Sequence, residues 1–256
     1  MTGSLAILTG ANGGVGQAAA RKFVAEGWSV LLVDIDSRIA ETAASLAAAP
    51  GQRIVSVAAD ITTEAGATKV AEAVKASGVA PRFLGLVAGV NQGAMAVEEF
   101  DMAEWDRIMA INLRANVLLM RALIPALRLA GKASIVTVTS YWGRAGHGYF
   151  SAYCASKAAL ISLTQSVAQE LAPDIRVNSL APGNIATPMH FNALRDEAAK
   201  RGITEQAMRD IEWAKIPMGR PADPNEMATA LYFLASDASS YMTGATLDVN
   251  GGCGFY

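Results

Sequence analysis

Leu5-Ala6-Ile7-Leu8-Thr9-Gly10-Ala11-Asn12-Gly13-Gly14-Val15-Gly16 passes directly into Gln17-Ala18-Ala19-Ala20-Arg21-Lys22-Phe23-Val24. A short run suited to a buried strand meets a glycine-rich turn, and an alanine-rich helical stretch follows. Glycine permits the tight turn and lets backbone N–H groups approach a bound group closely. The first N–H groups of a helix lack acceptors within it and lie at the positive end of its dipole. Strand, glycine turn and helix together therefore form a seat for a pyrophosphate. Gly10, Asn12, Gly14, Val15 and Gly16 are the candidate contacts.

The same alternation continues through the chain. Strands are predicted at Leu5–Thr9, Ser29–Asp34, Arg53–Ala59, Arg82–Val87, Ala133–Thr139, Ile175–Leu180 and Thr246–Val249. Helices are predicted at Val15–Glu26, Ser37–Ala48, Thr63–Ser77, Ala103–Leu129, Ala152–Leu171 and Pro224–Ala235. Apolar strands with little polar alternation, separated by helical stretches, predict βαβ units and a sheet covered on both faces. The expected fold is α/β: a single Rossmann domain over residues 1–256, with a doubly wound, seven-stranded parallel sheet. The charged stretch from Thr187 to Arg220 is expected to form one or two short helices, a lid rather than a domain.

Composition narrows the function classes. Of 256 residues, 52% are hydrophobic and 17% charged, which excludes a disordered chain. A net charge of −2 with scattered basic residues gives no footprint for nucleic acid or an anionic membrane. No span is expected from Val117 to Ala130, the richest apolar run, because Arg121, Pro125 and Arg128 interrupt it. Cys154 and Cys253 form no CxxC pair, so a cytoplasmic location without disulfide or zinc is expected, Cys154 being a small buried residue. Arg107, Arg114, Arg121 and Arg128 recur along one helix and predict a solvated or subunit-facing stripe.

Asp34 closes the second strand, where an acidic side chain can accept hydrogen bonds from the adenosine ribose. A carboxylate there repels a 2′-phosphate, and neither Asn12 nor its neighbour Ile35 offers a compensating charge, so NAD is expected over NADP. Arg38, in the following turn, is the one nearby cation. At the other end of the reading, Ser140 ends the fifth strand, and Tyr153 and Lys157 stand four apart on one helix face. A positive charge about 5 Å from the phenol would lower its pKa by roughly two units at an effective dielectric near 20, and a Lys157 ammonium together with an oxidised nicotinamide would bring it near working pH. Tyr153 is then the candidate acid and base for an alcohol or carbonyl, with Ser140 holding the substrate oxygen.

Together these residues resemble the short-chain dehydrogenase/reductase family, from Leu5 to Gly252. The resemblance rests on the Thr9–Gly16 loop, Asp60 after the third strand, Asn112 in the long helix, Ser140, and Tyr153-Cys-Ala-Ser-Lys157. It extends through Arg176-Val-Asn-Ser-Leu-Ala-Pro-Gly183, Gly219-Arg220-Pro221, Phe233-Leu-Ala-Ser-Asp237 and Gly251-Gly252. It implies hydride transfer to or from a nicotinamide, with Asn112, Ser140, Tyr153 and Lys157 catalytic and Asn112 holding a water in a proton relay. It also implies cofactor contacts at Asp60, Ile61, Ala88, Gly89, Pro182, Gly183, Ile185 and Thr187 besides Tyr153 and Lys157, and a homotetramer. One motif departs: Leu86-Val87 stand where the family usually has Asn-Asn, with Leu86 expected to fill the space and Asn91 a partial substitute.

Aromatic residues and polar tips in the loops predict a small hydroxylated substrate: a polyol, a sugar or a cyclic secondary alcohol. Gln92, Trp142, His147, Asn184 and His190 are its candidate contacts. The two histidines lack a neighbouring carboxylate in sequence, so no metal site is expected. Two other functions fit the pattern: a 3-oxoacyl-[acyl-carrier-protein] reductase using NADPH, and an NAD-sensing regulator without turnover.

Overall fold

A computed structural model describes residues 3–256. The seven strands are β1 (Leu5–Thr9), β2 (Ser29–Asp34), β3 (Ile54–Ala58), β4 (Pro81–Leu86), β5 (Ala133–Val138), β6 (Ile175–Pro182) and β7 (Thr246–Val249). They form one sheet in the order β3-β2-β1-β4-β5-β6-β7, every pairing parallel. Parallel neighbours need a crossover, which the helices supply: α1 (Gly14–Ala25), α2 (Ile39–Ala44), α3 (Glu64–Ser77), α4 (Met102–Met109), α5 (Ala115–Ala130), α6 (Ser151–Leu171), α7 (Pro188–Arg201), α8 (Glu205–Ala214) and α9 (Pro224–Ala235). The doubly wound sheet expected from the alternation is present.

Strand periodicity sorts the core into two. Leu5, Ile7, Leu31 and Val33 point to a cluster shared with α3 and α5, while Ala6, Leu8, Val30 and Leu32 point to one shared with α1 and α9. Both faces are covered, which is why these strands carry almost no polar alternation. The chain leaves β1 toward β2 on one side and returns to β4 on the other. This reversal opens a crevice at the carboxyl ends of β1 and β4, the usual place for a ligand in such sheets.

Two expected helices change, while the stretch from Thr187 to Arg220 forms helices as expected. The helix predicted over Ser37–Ala48 shrinks to α2, because Asp36 accepts from the Arg38 N–H at 2.9 Å and holds a turn there. The long helix predicted over Ala103–Leu129 contains a π turn, Ala110–Arg114, centred on Asn112. The lid forms two helices, α7 and α8, packed through Leu194, Ala198 and Met208. Helical residues Met102–Ala130 do have the length and hydropathy of a membrane span, despite the interruptions that argued against one. Leu118, Leu119, Leu123 and Leu127 bury it in the core of the sheet, so it is a core helix. Its arginines meet separate partners: Arg107 pairs with Glu104, Arg121 with Glu64 and Arg128 with Asp174, and Arg114 donates to the Thr62 carbonyl.

Candidate active site

A cavity of about 760 Å³ lies along the carboxyl edge of the sheet. Its lining runs from Asp34, Ile35, Asp60 and Ile61, past the glycine turn, to Ser140, Tyr153 and Lys157. The remaining cofactor candidates, Gly10, Asn12, Gly14, Val15, Gly16, Ala88, Gly89, Pro182, Gly183, Ile185 and Thr187, line it as well.

The glycine turn fits a pyrophosphate. Gly13, the N-cap of α1, supplies no side-chain hydrogen bond, which leaves the first N–H groups of that helix free to donate. A Cβ on Gly14 would come within 2.9 Å of Thr187 Cγ2, and one on Gly16 within 2.2 Å of the Gly10 carbonyl oxygen. Asp34 accepts from the N–H of Asn12 at 2.9 Å and from that of Asp36 at 3.1 Å, which fixes its carboxylate at the cavity wall. Arg38 turns its guanidinium onto Asp36, with Nε 2.8 Å from Oδ2, so the nearby cation is already paired. Asp60 accepts from both the N–H and the hydroxyl of Thr62, at 3.0 and 2.6 Å, and so shapes the turn at that end of the cavity.

Leu86 is buried in the core, as its replacement of a polar residue requires. The strand tie that the missing amide would have made falls to Thr9, whose hydroxyl accepts from the N–H groups of Val87 and Ala88, each at 3.0 Å. Asn91 does not take that part; its side chain accepts only from its neighbour Gln92 at 3.0 Å.

At the chemical end, Lys157 Nζ donates to the Val138 carbonyl at 2.8 Å and lies 5.6 Å from the centre of the Tyr153 ring. A Cβ on Gly89 would stand 3.1 Å from Lys157 Nζ and 3.3 Å from Asn112 Oδ1, so three motifs far apart in sequence meet here. Asn112 is buried within the π turn and grips the loop after β4. Its Oδ1 accepts from Val90 N–H at 2.8 Å, and its Nδ2 donates to Val90 O at 2.9 Å and Ser156 Oγ at 3.1 Å. Its carbonyl accepts from Asn116 Nδ2 at 2.7 Å. Ser140 Oγ, also buried, accepts from the Trp142 N–H at 3.2 Å.

The electrostatics correct the expectation for Tyr153. Burial pushes its phenol up to about 12, against a smaller opposing pull from the Ser140 hydroxyl. Burial also pushes the Lys157 ammonium down to about 8. Taking each charge out of water opposes its formation, and that cost adds to what the Lys157 ammonium and the nicotinamide must offset.

The substrate candidates divide. Trp142, Asn184 and His190 line the cavity, beside Tyr141, Met189 and Ala193, which were not among the candidate contacts. Gln92 and His147 do not line it. Gln92 is buried, and both ends of its amide are used: Oε1 accepts from Tyr153 N–H at 2.9 Å and Nε2 donates to the Tyr149 carbonyl at 2.7 Å. It ties down the start of α6 rather than touching substrate. His147 stacks on Trp142 with ring centres 4.0 Å apart, and its Nε2 lies 3.6 Å from Glu197 of the lid.

The histidine therefore does have carboxylates beside it, since Glu197 and Glu212 both approach, each carrying its own cation in Arg201 and Lys215. Their wide separation in sequence concealed this. Burial opposes the charge on Glu197, yet His147 and Arg201 hold its carboxyl below the usual range. Cys154 is buried, as expected, and Cys253 half-buried; neither forms a disulfide.

Residues 10–254 match a family model described as enoyl-(acyl carrier protein) reductase, and with it the ordered motifs and the seven-stranded sheet agree. The chain belongs to the short-chain dehydrogenase/reductase family. It is 34% identical to a (3R)-3-hydroxyacyl-CoA dehydrogenase of Mus musculus, across 97% of this chain and 95% of that one. It is equally, 34%, identical to a cis-4-hydroxycyclohexanecarboxylate dehydrogenase of Sinomonas cyclohexanicum, again across 97% and 95%. A solved NAD⁺-bound xylitol dehydrogenase superposes with a TM-score of 0.93 at 28% identity, covering 98% of this chain and 99% of the other. Other solved neighbours in the family carry NADH or NADP, so the choice of cofactor falls to this chain's own residues. The chain is an oxidoreductase that acts on CH–OH groups with a nicotinamide cofactor.

Proposed function

We propose that this reductase uses NAD(H) and acts on a small, uncharged, hydroxylated molecule such as a polyol, a sugar or a cyclic secondary alcohol. Meeting of Ser140, Tyr153 and Lys157 at one end of a cavity whose other end holds Asp34 carries this reading. The Asp34 carboxylate suits a ribose diol and repels a 2′-phosphate, and Arg38 is held by Asp36. When bound, the nicotinamide supplies or accepts the hydride.

The protein positions the alcohol and handles its proton. Ser140 donates its hydroxyl hydrogen to the substrate oxygen while its own oxygen accepts from Trp142 N–H. Tyr153 stands ready to take the proton from that oxygen in oxidation and return it in reduction. A phenol at about 12 is a poor base, and Lys157 is the cation placed to stabilise its phenolate. Asn112 keeps the loop carrying Gly89 and Val90 against this cluster and is the residue through which a proton relay would pass.

Acyl thioesters are the second reading, favoured by the hydroxyacyl-CoA dehydrogenase relative. A nucleotide sensor needs no proton donor, and the complete Asn112, Ser140, Tyr153 and Lys157 set speaks against it. Initial rates at 340 nm on polyols, sugars, cyclic alcohols and acetoacetyl thioesters, each with NAD(H) and NADP(H), test the reading. Expected is NAD-dependent turnover of a hydroxylated alcohol, abolished in Tyr153→Phe, which still binds cofactor. Thioester turnover with NADPH would replace it, and turnover that survives Tyr153→Phe would refute the mechanism.

A further inference from the structure

We infer that His190 is the specificity-determining donor of the substrate site, its Nδ1–H set to meet a second oxygen on the substrate, away from the reacting carbon. The inference rests on the alcohol dehydrogenase reading and deepens it. His190 stands in the first turn of α7 and lines the cavity with Trp142, Tyr141, Met189 and Ala193. Trp213 of α8 lies behind it, with indole Nε1 3.2 Å from His190 Nε2.

An indole N–H can only donate, so the imidazole nitrogen it meets must present a lone pair. A neutral imidazole has one proton, which then resides on Nδ1. Burial, with the Arg209 guanidinium adding to it, pushes His190 down to about 4, so the ring stays neutral at working pH. Among the described residues Nδ1 has no hydrogen-bond partner, and it is not among the side-chain atoms closed off without one. His190 thus brings an unpartnered donor to a lining it shares with Trp142, Tyr141, Met189 and Ala193.

The aromatic and aliphatic side chains accept the CH faces of a ring or chain, and the neutral His190 N–H matches a hydroxyl or carbonyl oxygen. A substrate carboxylate would call for a cation; the imidazole is not one, and Arg107, which also lines the cavity, is paired with Glu104. The substrate class is therefore an uncharged molecule with two oxygens, one at the carbon undergoing hydride transfer and one beyond it.

The test has a chemical arm and a spectroscopic one. 1,4-Cyclohexanediol and cyclohexanol differ by the distal hydroxyl alone, and a neutral hydrogen bond is worth up to about tenfold in kcat/KM. Expected is a preference for the diol of about that size, expressed in KM, lost in His190→Phe, weakened in Trp213→Phe and partly restored in His190→Asn, whose Nδ2 replaces the donor. A His190→Phe variant whose diol-to-alcohol ratio matches wild type overturns the inference. The chain has only two histidines, so long-range ¹H–¹⁵N spectra, with His147→Gln for assignment, read the tautomer without turnover. A neutral Nδ1–H ring at pH 6 is expected; an Nε2–H or doubly protonated ring refutes the inference even if neither probe is a substrate. If Tyr153→Phe keeps its activity while the tautomer is as stated, the general mechanism fails and not the donor assignment.

Discussion

Gln92→Leu should damage both stability and turnover, although Gln92 touches neither substrate nor cofactor cavity. The helix that carries Tyr153 begins at Ser151, and Phe150, its N-cap, gives no side-chain cap. Tyr153 N–H is therefore one of the orphan donors of a helix start, and Gln92 Oε1 satisfies it at 2.9 Å from across the loop after β4. Leucine keeps most of the volume and leaves that buried N–H without an acceptor. The Tyr149 carbonyl suffers less, because it also accepts from Met95 N–H at 3.0 Å. One buried unsatisfied group costs about 1–3 kcal/mol. For a chain of this size about 2 kcal/mol corresponds to a drop in Tm of roughly 4–8 °C.

The lost tie also frees the first turn of α6, next to Tyr149, whose backbone sits at a φ of +67°. A displacement of Tyr153 near 1 Å can cost about a hundredfold in rate. Calorimetry and kcat with a saturating alcohol measure the two effects together. A Gln92→Leu protein within a degree of wild-type Tm and with wild-type kcat would refute the clamp.

Asp34→Ala should narrow the preference for NAD over NADP, read as the ratio of kcat/KM for the two cofactors; an unchanged ratio would show that the ribose is read elsewhere. Gly16→Ala should cost cofactor binding by titration and lower Tm, because its Cβ would meet the Gly10 carbonyl at 2.2 Å and spread the turn. Lys157→Met should abolish turnover and change how the stability of the ligand-free protein depends on pH. The buried ammonium is held at about 8 against an ordinary 10.5, so the unfolded chain binds more protons between these values and wild-type stability rises with pH through that window. The variant's stability relative to wild type should then be highest near pH 7 and fall by about 3 kcal/mol as the pH rises to 10.5, on top of a pH-independent cost for the lost bond to the Val138 carbonyl. Denaturant melts at several pH values check it, and a pH-independent difference would contradict the burial argument.

Strand and helix patterns, the glycine turn, Asp34 and the Ser140, Tyr153, Lys157 set were legible in the chain because each depends on local spacing. Apolar runs make strands, glycines make the turn, and two residues four apart share a helix face. The π turn at Asn112 was legible only as a polar residue in a helix. The failures share one cause. Gln92 and His147 were read as substrate contacts because polar side chains near a site invite that reading, and their partners Tyr153 and Glu197 lie far along the sequence. Thr9 was legible only as the start of the glycine turn and Trp213 not at all, since a hydroxyl that ties two strands and an indole that fixes a tautomer act only once distant segments touch.

By itself the sequence determined the fold, the nicotinamide cofactor class and the Ser140, Tyr153 and Lys157 cluster, through short-range pattern and the order of its motifs. Only the tertiary structure decided which polar side chains reach the cavity, which are consumed in holding it together, and that burial raises the Tyr153 phenol and lowers the Lys157 ammonium, because desolvation depends on everything packed around a group.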